Sequence, residues 1–346
     1  MSERRTVYVV PPPSVAKGVA CMTSWAQPAG IKDRVAHPAV QDVRAYLQAF
    51  YNGLEVKLLE TPALSFNIWD KRARKKPIRP HDLPFISLET DSDAVCIRTR
   101  PSHDGVFLGQ LNLNDLLDVA MSILPVDAYA LVMLVDHDLY EDDDDDFCCG
   151  RAYGGSRVAV VSTARYHPLL DTRQQVEREH AWPAAHCRAY TDRCCDEGGV
   201  ARPSRMKDVV SANEENHEDE TPMGAAVVAY NSHRATIGAV ETSVSMSALW
   251  LGRVCKTASH ELGHCFGIDH CVYYACIMQG TAGLSEDARQ PPFLCPVDMA
   301  KVLRATGVSE REWVEAMLVF CGRFEEDDGL FAAFGAWLRT RLRAHV

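Results

Sequence analysis

The stretch from Val244 to His270, "VSMSALWLGRVCKTASHELGHCFGIDH", constrains this chain more than any other. Met246, Trp250, Val254, Ala258, Leu262 and Phe266 recur every four residues. That spacing puts them on one face of a helix and commits the face to a core. With Ser245 as a candidate N-cap and Gly267 as a candidate stop, the helix is expected over about 245–266. His260 and His264 sit one turn apart on a different face, so both rings can reach one point. Glu261 lies beside them, offset by one residue.

A lone histidine on a helix is usually structural. Two at this spacing, with glutamate directly after the first, are much more specific. Here the pattern extends to H-E-L-G-H-C-F-G-I-D-H, His260 to His270. Gly267 lets the backbone turn sharply out of the helix with φ > 0, and His270 can then swing back as a third nitrogen ligand. Followed by a Met-turn, this extended pattern is the metzincin signature. Three neutral imidazoles leave zinc at +2 with an open position. A water there has its pKa lowered from about 15.7 to about 7. Glu261 would take its proton as it attacks a scissile carbonyl, then pass the proton to the leaving amine.

Cys271 and Cys276 come next, then Met278, and further on "FLCPVDMAKVL" with Cys295. At this point the sequence resembles the archaemetzincins, or archaelysins, whose signature joins the histidine motif to C-x4-C-x-M and a distant C-x-x-C. The segments "TVYVVPP", "AYLQAFYNGLEVKLL", Gln110, "LPVDAYALVMLVDHDLY" and "VSTARY" support the resemblance, with the eukaryotic branch as the best match. It implies an α+β zincin fold: a mixed twisted sheet with a backing helix and an active-site helix, and a cleft between upper and lower subdomains. It further implies that His260, His264 and His270 bind one catalytic zinc, that Glu261 is the general base, and that Met278 forms the apolar floor of the Met-turn. A second, structural zinc would be held by Cys271, Cys276, Cys295 and the fourth residue of the set. That residue departs from the family pattern: it is Asp298, in "CPVD", where cysteine is expected. Met278 and Cys295 also stand one residue closer than the usual spacing. Aspartate ligates zinc through oxygen, but is a harder partner than thiolate for a structural site.

The 346 residues are enough for one large domain or two small ones, and the 47% apolar content reads as soluble and globular; the resemblance implies a single domain over 5–346, with a lower subdomain over about 271–346. A net charge of −11 argues against nucleic-acid and anionic-membrane partners. The five-residue run Thr6 to Val10 before three prolines is too short for a secretory core. The longest apolar run, Ala128 to Val135, is too short for a membrane span. These features, with 13 cysteines, lead to the expectation of an intracellular chain, cytoplasmic or nuclear, acting as a monomer with reduced thiols or metal ligands.

"TVYVV", a helix through Val43, Leu47 and Phe50 stopped at Gly53, and a strand over Leu54 to Leu59 suggest a βαβ start. Ser65 to Arg79 reads as a basic exposed loop, and Ala94 to Leu108 as two strands. Asn114 is a candidate N-cap for a helix closed by Pro125. "AYALVMLVD" reads as a strand covered on both faces, and "RVAVVSTARY" as another. Glu141 to Asp146 reads as a solvated acidic loop. His167 to about Glu241 reads as an acidic insertion, mostly loop. Cys148, Cys149, Cys187, Cys194 and Cys195 are expected to be free thiols, and Tyr273 and Tyr274 to pack.

The function these features suggest is a zinc metallopeptidase, possessing by resemblance an aminopeptidase-like activity, on peptides with little charge at the cleavage point. The competing readings are a zinc-binding or interaction protein without catalysis, and a thiol redox sensor. Glu261 speaks against the first, since zinc binding alone does not need it. The missing fourth cysteine keeps the second alive.

Overall fold

In the computed structural model, residues 4–31, 35–69, 83–184, 221–237 and 242–344 are described. Strands β1 (Thr6–Val10), β2 (Ser14–Val15), β3 (Glu55–Leu58), β4 (Ser65–Ile68), β5 (Phe85–Glu89), β6 (Ala94–Arg100), β7 (Gln110–Asn112), β8 (Ala128–Val135), β9 (Asp138–Tyr140), β10 (Gly150–Tyr153) and β11 (Val158–Ser162) form two sheets. The five-stranded sheet has the order β10-β11-β8-β1-β3 and the six-stranded sheet the order β2-β4-β5-β6-β7-β9. In the first, β1, β3, β8 and β11 are parallel, and only the edge strand β10 runs antiparallel. The α+β expectation is met.

β8 shows why the first sheet lies in the middle of the molecule. Its sequence, AYALVMLV, carries no charged side chain, and strand alternation sends apolar groups to both faces. Ala130, Val132 and Leu134 join one core with Val7, Val9, Ala159 and Val161. Leu131, Met133 and Val135 join a second core with Val10, Val158 and Val160. Each fully buried Val, Leu or Met side chain among them contributes on the order of 1.5–3 kcal/mol.

Helices cover these faces: α1 (Val40–Phe50), α2 (Leu113–Ser122), α3 (Pro222–Ile237), α4 (Ser243–Cys265), α5 (Leu284–Arg289), α6 (Pro296–Thr306), α7 (Glu310–Cys321) and α8 (Gly329–Ala344). β1, α1 and β3 make the expected βαβ unit, with β1 and β3 paired in parallel. On α4 the predicted stripe is buried through Trp250, Val254, Ala258 and Leu262, within the first core. α1 backs it: the Tyr51 hydroxyl, at the end of α1, donates to the Ser259 carbonyl at 2.6 Å.

Several expectations need correction. α4 starts earlier than Ser245: Thr242 is the N-cap, and Ser245 completes a reciprocal capping box with it. The cap of α2 is Asn112, whose side chain accepts from the Asp115 amide, whereas Asn114 instead accepts from the Tyr153 hydroxyl at 2.8 Å. Ser65–Ile68 is a strand, because Phe66 and Ile68 alternate inward; residues 70–82, with the basic run, lie outside the described residues. Ala94 to Leu108 yields one strand, which pairs with β5 upstream and β7 downstream. The stretch 167–241 is not all loop, since α3 occupies 16 residues of it. α3 is built from small side chains (Gly224, Ala225, Ala226, Val227, Val228, Ala229) that mark no stripe. Residues 185–220, with Cys187, Cys194 and Cys195, lie outside the described residues.

Gln110 and Arg100 tie the acidic loop to the sheets, and Arg165 braces Asp138 beside them. Arg165, 1% exposed, makes a two-pronged pair with buried Asp138 and also reaches Asp104. Gln110 donates to Asp138 Oδ2 and to the Asp146 carbonyl, each at 2.8 Å. Arg100 donates to the Asp142 and Asp143 carbonyls at 3.1 and 3.0 Å. The run of acids is therefore a loop held by its backbone, with most of its carboxylates turned to water. Among the described residues no helix is long and apolar enough to cross a membrane.

Candidate metal centres and cleft

The histidine cluster is assembled by the way α4 ends. The Phe266 amide still bonds back to Leu262, then Gly267 takes φ = +76° and Ile268 N–H returns to the Gly263 carbonyl at 3.2 Å. That left-handed turn, open to glycine at little cost, reverses the chain and brings His270 back toward α4. It also aims the Ile268 carbonyl at His264, whose Nδ1 lies 2.7 Å away. The Ile277 carbonyl holds His260 Nδ1 at the same distance, 2.7 Å. With Nδ1–H donated to a carbonyl, each ring presents the lone pair of Nε2.

Those lone pairs converge. The Nε2 atoms of His260 and His264 are 3.2 Å apart, and the donor atoms of His260, His264 and His270 all lie within 4.8 Å of one another. Metal–nitrogen bonds of about 2.0–2.1 Å in a tetrahedron set nitrogens about 3.3–3.4 Å apart, so the pair is already at ligand spacing. Burial pushes the His260 ring down to about 4 and lowers His264 as well, against the pull of their carbonyl partners. Both shifts favour the neutral ring, the form that ligates.

Glu261 lies in the wall of a cleft of about 1230 Å³ that also contains His260, His264 and His270. The residue is 8% exposed. Burial pushes its carboxyl up to about 8; the Arg151 charge and the Ala152 backbone oppose this without cancelling it. A carboxyl so placed exchanges protons near neutral pH. The antiparallel edge strand β10 supplies one rim of the cleft, through Arg151 and Ala152, and residues 281–290 supply the opposite wall.

Met278 is fully buried under this cluster. A Cβ on Gly263 would collide with its sulfur, so the glycine inside "HELGH" is the gap that the thioether fills. The Cys271 amide donates to the Met278 carbonyl at 2.7 Å, which closes the loop from the third histidine back to the methionine.

The second cluster begins at the next residue. Cys271, Cys276, Cys295 and Asp298 bring their donor atoms within 4.8 Å of one another. Cys271 and Cys295 sulfurs are 4.0 Å apart, and Asp298 Oδ2 is 3.5 Å from Cys276 and 3.4 Å from Cys295. Backbone N–H groups point at the sulfurs: Met278 and Cys295 toward Cys276, at 3.4 and 3.2 Å, and Asp298 toward Cys295 at 3.4 Å. Such donors favour thiolates. Cys295 caps α6, so its geometry is fixed by the helix start. Asp298 turns its other oxygen to Lys301 at 2.8 Å, a partner that a cysteine would not use.

Other candidates fall elsewhere. Tyr273 and Tyr274, expected to pack, are 88% and 52% exposed and do not line the cleft. Cys255 and Cys265 are buried on α4. Cys148 and Cys149 carry free thiols, and both line the cleft. Tyr166, which had no assigned role, is buried in the cleft wall and accepts from the Thr257 hydroxyl at 2.6 Å. The carbonyls of Ile268 and Ile277 and the side chain of Lys301 have no signature in the sequence; the Gly263 constraint does, as the fourth letter of the motif.

Comparison with known proteins follows the same segment. Residues 226–304 match the family model described as Peptidase family M54. Archaemetzincin-2 of Rattus norvegicus is 25% identical over 284 residues, covering 82% of this chain and 58% of that protein. Archaemetzincin-2 of Homo sapiens is 42% identical over 73 residues, covering 21% of this chain and 20% of that protein. The chain thus spans a little over half the length of the rat relative. Among solved structures, archaemetzincin from Methanopyrus kandleri has a TM-score of 0.39 and 15% identity, covering 89% of this chain and 98% of that one.

Proposed function

We propose that this chain, whose residues 226–304 match the model of Peptidase family M54, is a zinc-dependent metallopeptidase. The observation that carries this is the convergence of three imidazole nitrogens beside a buried carboxylate in one open cleft. The donor set fits: three neutral nitrogens are the ligands of a hydrolytic zinc, and they leave a position open. When bound there, zinc supplies Lewis acidity toward a peptide carbonyl and acidifies water.

The chain's own groups do the rest. The Ile268 and Ile277 carbonyls keep the rings in one tautomer and one orientation. Glu261, with a carboxyl held near neutrality by burial, accepts the proton of the attacking water and returns it to the leaving amine. Met278 packs beneath α4 and stops the ligand helix from sinking. The aminopeptidase-like activity implied by the resemblance belongs to the same cleft.

Cys271, Cys276, Cys295 and Asp298 form a second zinc site in this reading. Three sulfurs and one carboxylate oxygen are all zinc ligands, the four are close enough to share an ion, and N–H donors stabilise the thiolates. An intracellular setting agrees with the cysteines, since the ten described are all free thiols.

The test counts zinc per chain by native mass spectrometry and follows cleavage of a peptide library. Two zincs are expected in wild type and in Glu261→Gln, with cleavage reduced about 10²–10⁴-fold in the variant. Unchanged cleavage by Glu261→Gln would overturn the mechanism. One zinc in wild type, unaffected by Cys276→Ala, would overturn the second site.

A further inference from the structure

The cleft contains a carboxylate that the hydrolytic machinery does not use. Asp287, on α5, lines the cavity together with Tyr166, Thr257, Cys149 and Leu284. It is 8% exposed. Its backbone is well engaged: its amide donates to the Gly283 carbonyl at 3.0 Å, and its carbonyl accepts from Gln290 N–H at 3.0 Å and from Lys256 Nζ at 2.6 Å. Its carboxylate, in contrast, has no hydrogen bond and no ion pair within 4.0 Å among the described residues.

The buried Lys256 ammonium interacts with Asp287 electrostatically but is not within 4.0 Å of its carboxylate. Lys256 meets the backbone of Asp287, and its side chain borders a separate cavity of about 360 Å³ with Arg253 and Asp328. Among the described residues lining the cleft, Arg151 is the one lysine or arginine, and it is paired with Glu141 at the rim. Four carboxylates line the same space: Glu141, Glu261, Asp269 and Asp287. The field of Asp287 reaches inward, where it opposes ionisation of the Cys149 thiol and the Tyr166 hydroxyl. A buried charge without a partner is costly, and such a group is retained where a ligand supplies the partner.

We propose that Asp287 forms the base of a side-chain subsite in this cleft and selects a lysine or arginine side chain of the peptide substrate. The walls suit such a group: Leu284, Cys149 and the Tyr166 ring offer apolar surface to the methylene stem, and the carboxylate meets the charged head. The expectation of little charge at the cleavage point is replaced by a preference for one cation near it. This rests on the metallopeptidase reading, and its test separates the two.

Binding is measured by calorimetry with zinc-loaded full-length chain in the Glu261→Gln background, so that peptides remain intact. The probes are a hexapeptide with one central lysine and its norleucine counterpart, which keeps the stem and removes the ammonium. The lysine peptide is expected to bind at least about ten-fold more tightly, with the advantage abolished by Asp287→Asn and largely restored by Asp287→Glu. Since the carboxylate makes no internal bond, Asp287→Asn is expected to fold normally, checked by circular dichroism. Equal binding of the two peptides, or a lysine preference that survives Asp287→Asn, overturns the subsite. Cleavage by the Glu261-containing chain is read separately. A lysine preference in binding without any cleavage overturns the peptidase reading alone, whereas cleavage with a kcat/KM ratio unchanged by Asp287→Asn overturns the subsite alone.

Discussion

The histidine cluster and the cysteine cluster share a border, since His270 and Cys271 are neighbours, yet they are built in opposite ways. The histidines open to a cleft: His260 is buried, His264 half-buried and His270 exposed. Their orientation comes from carbonyls that hold the far side of two of the rings. The cysteines close inward, with Cys276, Cys295 and Asp298 buried and N–H groups aimed at sulfur. In the proposed reading, one cluster keeps a position for a reactant and the other leaves none. The difference teaches that ligand count alone does not distinguish a reactive from a structural site; exposure and the direction of backbone dipoles do.

The sharpest way to break this comparison is the carboxylate that only one cluster has. Glu261→Gln should lower kcat/KM by about 10²–10⁴-fold while leaving both clusters their zinc, read by activity and mass spectrometry together. Next in size, Cys276→Ala should remove one zinc and lower the melting temperature by more than about 5 °C in differential scanning calorimetry. An unshifted melting temperature would mean that the buried cluster supports nothing. Gly263→Ala drives a methyl group into Met278, at a cost of about 1–3 kcal/mol. Its zinc loss under chelator challenge should fall on the histidine cluster and spare the cysteines, and the reverse order would contradict the assigned geometry. Asp298→Cys should sharpen the contrast, slowing zinc release from the buried cluster several-fold, because thiolate is the softer ligand. The smallest effect belongs to Lys301→Ala. Its ammonium is half exposed, so the Asp298 pair is worth at most about 1 kcal/mol.

What could be seen in the sequence was what local spacing encodes. The α4 stripe, the i, i+4 histidines, the positive φ at Gly267 and the two-faced β8 are all properties of neighbouring residues along one element. Asp298 was named through the family resemblance, as the residue standing where the C-x-x-C pair has its second cysteine. The carbonyls of Ile268 and Ile277 were invisible, because any residue type presents a carbonyl and only the folded turn aims it. Asp287 was invisible for a different reason: "LSEDAR" reads as an ordinary polar helix, and its burial is imposed by α4 and the cleft. β5 and α3 were missed where the signal itself was weak, in one case a short strand after a charged run, in the other a helix of small residues without a stripe.

β8 holds a further consequence, for alignment. Its two faces are both apolar, so a slip of one residue would expose nothing to water, and polarity gives no protection against it. Size does. The face toward α4 carries Ala130, Val132 and Leu134, whereas the opposite face carries Leu131, Met133 and Val135. A slipped strand would present leucine where alanine now lets α4 settle, and would lift the helix that carries His260 and His264. The reading frame of α4 over its sheet is thus kept by a difference of a few methyl groups between odd and even positions.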